Sequence, residues 1–223
     1  SKYQGTSFQN TGDPVLFLSN PKGVDEKVRR RMLDSLDALN KKHLAEIGDP
    51  EIQTTIAQQE MAFRMQFAVP EAFDLSKESK STLEMYGGSE YAKGCLLARR
   101  LIERGVRFVQ VFTQNQFWDH HGGIAGIRGP AREFDKAFAA LVCDLDERGL
   151  LDSTLVMVTT EFGRSPRINK DGGRDHWPRV FSIALAGGGV KRGLIYGRSD
   201  ATSSAVADAP VTVENLATTV YNQ

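Results

Sequence analysis

The fold is indicated first by the run Thr154-Leu155-Val156-Met157-Val158-Thr159-Thr160, a nearly continuous apolar stretch rich in β-branched residues. This composition predicts a β-strand. A helical pattern over residues 131–148 precedes it, and Gly149 interrupts the pattern before the strand begins. A strand without polar alternation is buried on both faces, which is typical of a parallel sheet covered by helices.

The same order of helix, glycine and strand occurs once more, immediately upstream. A helical pattern begins at Ser89 and ends at Gly105, and residues 106–112 have the β-branched and aromatic content of a strand. Residues 180–186 predict a further strand, and residues 212–221 predict a final helix capped by a threonine. We therefore expect an α/β fold with a mixed, largely parallel sheet flanked by helices.

The first part of the chain predicts helices instead of sheet. After an irregular lead-in with one edge strand near residues 15–18, two helical patterns follow, with Asp49 as the cap of the second and Pro50 at its first position. We expect that second helix to stop at Pro70. The expectation is one domain over residues 1–223, with a helical insertion at about 24–88.

Composition excludes several classes of protein. The 223 residues are 40% hydrophobic and 25% charged, which is ordinary for a globular chain. Lys+Arg and Asp+Glu number 28 each, so the net charge indicates no nucleic-acid partner. No apolar run approaches the ~20 residues of a membrane-spanning helix. The chain opens at Ser1 and not at a methionine, which is typical of a processed or truncated product.

The two cysteines, Cys95 and Cys143, each lie inside an apolar helical pattern. This position favours buried free thiols over a disulfide or a metal-ligand pair. They identify no cellular compartment.

Three polar segments carry the candidate chemistry: residues 118–123, 159–164 and 172–177. Three of the four histidines lie in them; the fourth, His43, is interpreted as a solvated surface residue. Asp119 and His121 follow one predicted strand, and Glu161 follows the next, so parallel strands would place them at one sheet edge. His176 lies in the loop that leads to the following strand. Imidazole and carboxylate groups gathered at strand ends are what a divalent metal site needs.

Each segment alone has an ordinary explanation, as surface decoration, a helix cap or a glycine-rich turn. Together they indicate a metal or anion site. Asp175 is interpreted either as a further metal ligand or as the carboxylate that orients His176 through its ring N–H. Arg164 and Arg174 supply guanidinium groups that bind phosphate or sulfate oxygens. The glycines at 187–189 predict a tight turn, since the Lys-Ser/Thr of a phosphate loop is absent.

These segments carry a family resemblance. Phe117-Trp118-Asp119-His120-His121-Gly122, residues 160–166, residues 172–178 and Ala184-Leu185-Ala186-Gly187-Gly188-Gly189 closely resemble the DUF1501 family of bacterial proteins, common in planctomycetes. Residues 2–5 and 12–21 also resemble its middle region. The resemblance implies an alkaline phosphatase-like and sulfatase-like fold, of which this chain would be the C-terminal part and therefore a partial domain.

The resemblance also implies roles for the site residues. Asp119 and His121 resemble the ligand pair of one metal ion, and His176 resembles the histidine that completes it. Glu161 and Phe162 stand where a second pair of ligands is expected, and a phenylalanine cannot ligate, so a second metal ion would lose a ligand or be absent. The resemblance places another ligand and the nucleophile upstream of this chain. Histidine with carboxylate suits Zn²⁺, Mn²⁺ or iron better than Ca²⁺.

Two functions follow as expectations. One is a metal-dependent hydrolase of sulfate or phosphate esters, acting on small molecules or polysaccharides, with Arg164 or Arg174 as the anion clamp; this chain alone would be inactive. The alternative is a non-catalytic metal- or anion-binding module of the same fold. The resemblance further implies export of the full-length protein to the periplasm.

Overall fold

The computed structural model describes residues 7–9, 14–15, 19–113 and 118–223. Part of the predicted edge strand (16–18), residues 2–5 and 12–13 of the family resemblance, and Phe117 lie outside the described residues. The chain divides into two compact units. One comprises Ser1–Ser79 and Glu103–Val106, and the other comprises Lys80–Ile102 and Arg107–Gln223. The expectation of a single domain with an insertion at about 24–88 stays a prediction.

The first unit contains helices α1 (Glu26–Ile47) and α2 (Pro50–Phe73). The predicted cap of α2 is confirmed, because the Asp49 side chain accepts a hydrogen bond from the Glu51 N–H and Pro50 lies in the first turn. The predicted end at Pro70 is wrong, since α2 continues to Phe73. A proline this near a helix end removes its own N–H bond and leaves the bonds of the following residues in place.

The second unit is built around helices α3 (Lys80–Tyr86), α4 (Glu90–Glu103) and α5 (Arg128–Glu147). Their buried apolar side chains include Tyr86, Leu96 and Leu145, each at most 2% exposed. Both cysteines are free; Cys95 is buried as predicted, whereas the burial predicted for Cys143 is wrong. Cys143 lies on α5 between the buried Leu141 and Leu145, on the side of the helix that faces solvent.

The described strands are short and pair in antiparallel fashion. They are β1 (Val156–Val158) with β4 (Ala184–Ala186), β2 (Gly163–Arg164) with β3 (His176–Trp177), and β5 (Arg198–Ser199) with β6 (Val206–Asp208). The strand predicted over residues 154–160 is thus present in shortened form, as is the strand predicted over residues 180–186. The larger, mainly parallel sheet of an alkaline phosphatase-like fold stays a prediction.

Residues 106–113 form neither a helix nor a strand in the part of the chain that the structure describes, so the strand expected over 106–112 is absent there. Burial nevertheless alternates: Phe108 and Phe112 are 77% and 73% exposed, while Val111 lies against Gly94 of α4. The residues of this segment favour an extended conformation, but a strand also requires a hydrogen-bonded neighbour. None of the described strands pairs with this segment.

Two local predictions near the C-terminus are confirmed. Residues 187–189 form a turn in which all three glycines have positive φ, and a Cβ on Gly187 would overlap the carbonyl oxygens of Leu151 and Thr154. Helix α6 (Val213–Tyr221) begins with a capping box between Thr212 and Asn215. Within the described residues, none of the helices combines the length and apolar character that crossing a bilayer requires.

Candidate metal centre

The antiparallel pair β2–β3 sets the geometry of the site. Its register places Arg164 directly opposite His176, and side chains in opposite positions of such a pair project to the same face. A bond from the Ser165 N–H to the Asp175 carbonyl (2.8 Å) continues the pairing by one residue. Arg164 and His176 consequently reach the same third group, the carboxylate of Asp119.

Backbone contacts hold the segment at residues 118–123 against the β2–β3 pair. The Arg174 N–H donates to the His120 carbonyl at 3.0 Å, and Gly122 and Gly172 form an antiparallel bridge. The approach is so close that a Cβ on Gly173 would overlap the His121 carbonyl group. Glycine is therefore required at position 173 because the two backbones touch there.

Three ligand atoms form a nearly equilateral triangle: Asp119 Oδ1, His121 Nε2 and His176 Nε2. Asp119 Oδ1 lies 3.0 Å from each imidazole nitrogen, and the two nitrogens are 3.1 Å apart. Metal–ligand bonds of about 2.1 Å allow two donors on one ion to be at most about 4.2 Å apart, so these spacings fit a single cation. Within the described part of the chain, these residues form the group of histidine, cysteine and acidic side chains with metal-ligand spacing.

The His121 ring is oriented by Asp175. Its Nδ1 lies 3.0 Å from Asp175 Oδ1, so a proton on Nδ1 is donated to that carboxylate and Nε2 presents its lone pair to the triangle. Asp175 thus contacts the ring of His121, and its two predicted roles, as a metal ligand and as the carboxylate that orients His176, stay predictions. Hydrogen bonds from His121 and Asn169 hold the pKa of the Asp175 carboxyl below its usual value.

Asn169 is a site residue that the sequence reasoning missed. Its Nδ2 donates to the His121 carbonyl (2.8 Å) and to Asp175 Oδ1 (3.0 Å), while its Oδ1 accepts from the N–H groups of Asp171 and Gly173. One amide thus connects two of the motifs. The signal was present in Asn169-Lys170-Asp171-Gly172-Gly173, the composition of an Asx turn.

The two arginines predicted as an anion clamp have different surroundings. Arg164 Nη1 donates to Asp119 Oδ1 at 2.5 Å, and this bond, followed by the one to His176, is the main reason that the pKa of Asp119 is lowered. Arg174 Nη1 donates to the backbone carbonyls of Ser165 and Pro166, both at 2.6 Å. Arg164 therefore contacts the triangle through Asp119, whereas Arg174 holds the loop at residues 165–166.

Glu161 and Phe162 come shortly before Arg164 in the sequence and are not among the three residues of the triangle. Glu161 is exposed and is outside the described ligand group, so its role as a ligand stays a prediction. The Phe162 ring packs against the His176 imidazole, with centroids 4.2 Å apart. His120 points elsewhere, since its ring lies beside Gly126, and His43 is exposed as predicted.

The donor set is two imidazole nitrogens and one carboxylate oxygen. The side chains of His121 and His176 are 48% and 46% exposed, so the site lies at the protein surface. Three protein ligands with open positions are typical of catalytic metal sites, whereas structural zinc sites have four. The arrangement can thus hold a cation with three protein ligands and leave room for a fourth ligand.

Comparison with known proteins agrees with the motifs. Neither the curated proteins nor the solved structures contain a match to this chain. The model of the family described as "Protein of unknown function (DUF1501)" matches residues 1–223, the full length of the sequence. The chain therefore belongs to the DUF1501 family.

Proposed function

We propose that this chain binds a divalent transition-metal ion through Asp119, His121 and His176, and that the centre serves the hydrolysis of sulfate or phosphate esters. The observation that carries the proposal is the triangle of ligand atoms, with sides of 3.0 to 3.1 Å. We further propose that the fold is of the alkaline phosphatase-like and sulfatase-like type, as the motifs imply.

The donor chemistry supports the choice of metal. Imidazole combined with carboxylate suits Zn²⁺, Mn²⁺ and iron, whereas Ca²⁺ prefers oxygen ligands alone. Such an ion, when bound, supplies Lewis acidity toward an ester oxygen and lowers the pKa of a bound water.

The remaining roles belong to side chains of this chain. Asp175 and Asn169 hold the His121 ring with Nε2 toward the ion. Arg164 is the guanidinium within reach of the triangle, and a planar fork of N–H donors matches the oxygens of a sulfate or phosphate group. The exposed position of the site suits an ester carried by a small molecule or by a polysaccharide.

A second candidate function is a non-catalytic metal- or anion-binding module. It is favoured by the hydrogen bonds that the nearby hydroxyl groups make within their own loops. Ser165 Oγ donates to the Arg167 carbonyl and Thr160 Oγ1 donates to the Phe162 carbonyl, each at 2.9 Å. Both hydroxyls serve their loops, so neither is poised as a nucleophile.

Metal content tests the centre. The purified chain is loaded with Zn²⁺ or Mn²⁺, desalted and measured by elemental analysis, alongside His121→Ala, His176→Ala and the control His43→Ala. We expect metal retained by the wild type and by the control, and lost from the other two variants. Equal metal content in all four proteins would contradict the proposal.

Ester turnover then decides between the two candidates. Because this chain alone is expected to be inactive, the full-length natural protein is loaded with metal and assayed with p-nitrophenyl phosphate and p-nitrophenyl sulfate, and its His121→Ala variant is the blank. Turnover that disappears in the variant supports a hydrolase, whereas retained metal without turnover supports the binding module.

A further inference from the structure

We infer that Arg164 is a built-in competitor of the metal ion: its guanidinium holds Asp119 Oδ1 until a cation takes that oxygen, and only then is it released to bind an anion. Metal would therefore bind first and the anionic group second. This inference rests on the proposed metal centre and adds to it an order of binding.

The competition concerns one atom. Asp119 Oδ1 is the carboxylate oxygen of the ligand triangle, and it is also the acceptor for Arg164 Nη1 at 2.5 Å. This is shorter than its 3.0 Å contacts with the two imidazole nitrogens. A guanidinium and a divalent cation on the same oxygen repel each other, so the binding of either one is weakened by the presence of the other.

A released Arg164 would stay at the site. Its backbone is held in β2 opposite His176, which restricts the side chain to this face of the pair. Its Cζ already lies 5.6 Å from the centroid of the Phe162 ring, a cation–π distance. That ring packs in turn on His176. The guanidinium thus has an alternative contact within the same cluster, next to the position where an anion on the metal would lie.

The opposite role makes opposite predictions. If Arg164 only positioned Asp119, its removal would free the carboxylate and weaken metal binding. If Arg164 competes, its removal strengthens metal binding and at the same time abolishes the coupling between metal and anion. This coupling can be measured through the metal affinity alone. If bound metal increases the affinity for an anion, the bound anion must increase the affinity for the metal by the same factor.

The test is a calorimetric titration of the metal-free chain with Zn²⁺, in sodium chloride and in sodium sulfate of equal ionic strength. The variants are Arg164→Met and Arg164→Gln, which remove the charge in two different ways. Arg179→Met is the matched control, since Arg179 also contacts an aromatic ring, that of Trp177 at 5.4 Å, and lies outside the triangle.

In chloride, we expect both Arg164 variants to bind Zn²⁺ about two- to five-fold more tightly than the wild type, the range of an exposed ion pair. Sulfate should tighten Zn²⁺ binding in the wild type and in Arg179→Met, and should have no such effect in the Arg164 variants.

Unchanged or weaker Zn²⁺ binding in the Arg164 variants would overturn the inference, as would an equal sulfate effect in all proteins. These results differ from failure of the metal centre itself. In that case the wild type would bind no Zn²⁺, or His121→Ala would bind it as well as the wild type does.

Discussion

Two aspartates in the second unit each collect three partners, with very different results. Asp144, in the middle of the helical core, is 4% exposed and lies within 3.0 Å of Tyr86 Oη, Arg99 Nε and Arg148 Nε. Asp119, in a loop, has a side chain that is 24% exposed and contacts Arg164, His121 and His176.

The difference lies in what the partners can do. Tyr86 and Arg148 donate hydrogen bonds to Asp144, and the buried Arg99 guanidinium balances its charge, so the carboxylate is satisfied and buried. The imidazoles beside Asp119 can each present a lone pair, so two nitrogen donors and a carboxylate oxygen can converge on one exposed position. Such a set calls for a proton or a cation. The core carboxylate maintains the fold, whereas the exposed one is suited to binding.

The largest expected effect is on the free energy of unfolding, and it distinguishes the structural carboxylate of Asp144 from the binding carboxylate of Asp119. Asp144→Ala leaves the charge of Arg99 buried without its carboxylate, which should lower the free energy of unfolding by about 3–5 kcal/mol. Asp119→Ala should shift the urea midpoint only slightly, because its ion pairs are exposed to solvent. Urea denaturation of both variants measures this. Similar destabilisation by the two substitutions would mean that the carboxylates do not differ in the way described.

The second prediction concerns close packing of the site backbone. A methyl group on Gly173 would overlap the His121 carbonyl, so Gly173→Ala should destabilise the chain by about 1–3 kcal/mol and abolish Zn²⁺ binding. Gly129, at the start of α5, has no atom within 4 Å of a Cβ, and Gly129→Ala is the control. It should be neutral or stabilising by up to about 1 kcal/mol, as expected for alanine in a helix. Zn²⁺ titration and urea denaturation report both effects, and full Zn²⁺ affinity in Gly173→Ala would contradict the packing argument.

The third prediction is a pH dependence of stability. The pKa values of Asp119 and Asp175 are lowered in the folded chain, chiefly by hydrogen bonds from Arg164 and from His121 respectively. Their contribution is fully present above the unfolded value of about 3.9, and it is lost as the pH falls through the lower folded values. The measurement is the urea midpoint of the metal-free chain at pH 5 and at a pH below 4. The decrease between these two pH values should be smaller in Asp119→Asn than in the wild type. An equal fall in both proteins would assign the acid sensitivity to other groups.

The smallest effect is on thiol reactivity. Burial raises the pKa of Cys95 to about 11, whereas Cys143 is exposed. A thiol reagent at pH 8 should therefore modify one cysteine quickly and the other only in denaturant. Cys143→Ser should remove the fast reaction and Cys95→Ser should leave it unchanged; the reverse assignment would contradict the burial described for α4 and α5.

Much of the helical structure could be predicted because its determinants are close together in sequence. Asp49 caps the residues immediately after it, and Thr212 and Asn215 bond each other across one turn. The short strands were predicted as longer ones, since a β-branched run favours strand wherever it lies and only a neighbour decides where pairing stops. Residues 106–112 are the extreme case, with strand composition and no pairing among the described strands.

The candidate site was predictable in its members but not in its connections. Asp119, His121 and His176 were identified from motifs, and the structure brings them together. The sequence did not show which histidine Asp175 contacts, nor that Asn169 takes part in the site. It also did not show that Arg164 and Arg174 have different partners. Each of these depends on which nitrogen or oxygen faces which neighbour, and residue spacing does not encode that.

The sequence by itself determined the starts of α2 and α6, the turn at residues 187–189 and the residue types of the site, because caps, glycine conformations and motifs act over a few positions. Only the tertiary structure decided that one oxygen of Asp119 meets Arg164, 45 residues away, and His176, 57 residues away. Contacts over such separations exist only after the loops have closed and the backbones at Gly173 and His121 have met. The chemistry of the site therefore follows from the packing of its backbone.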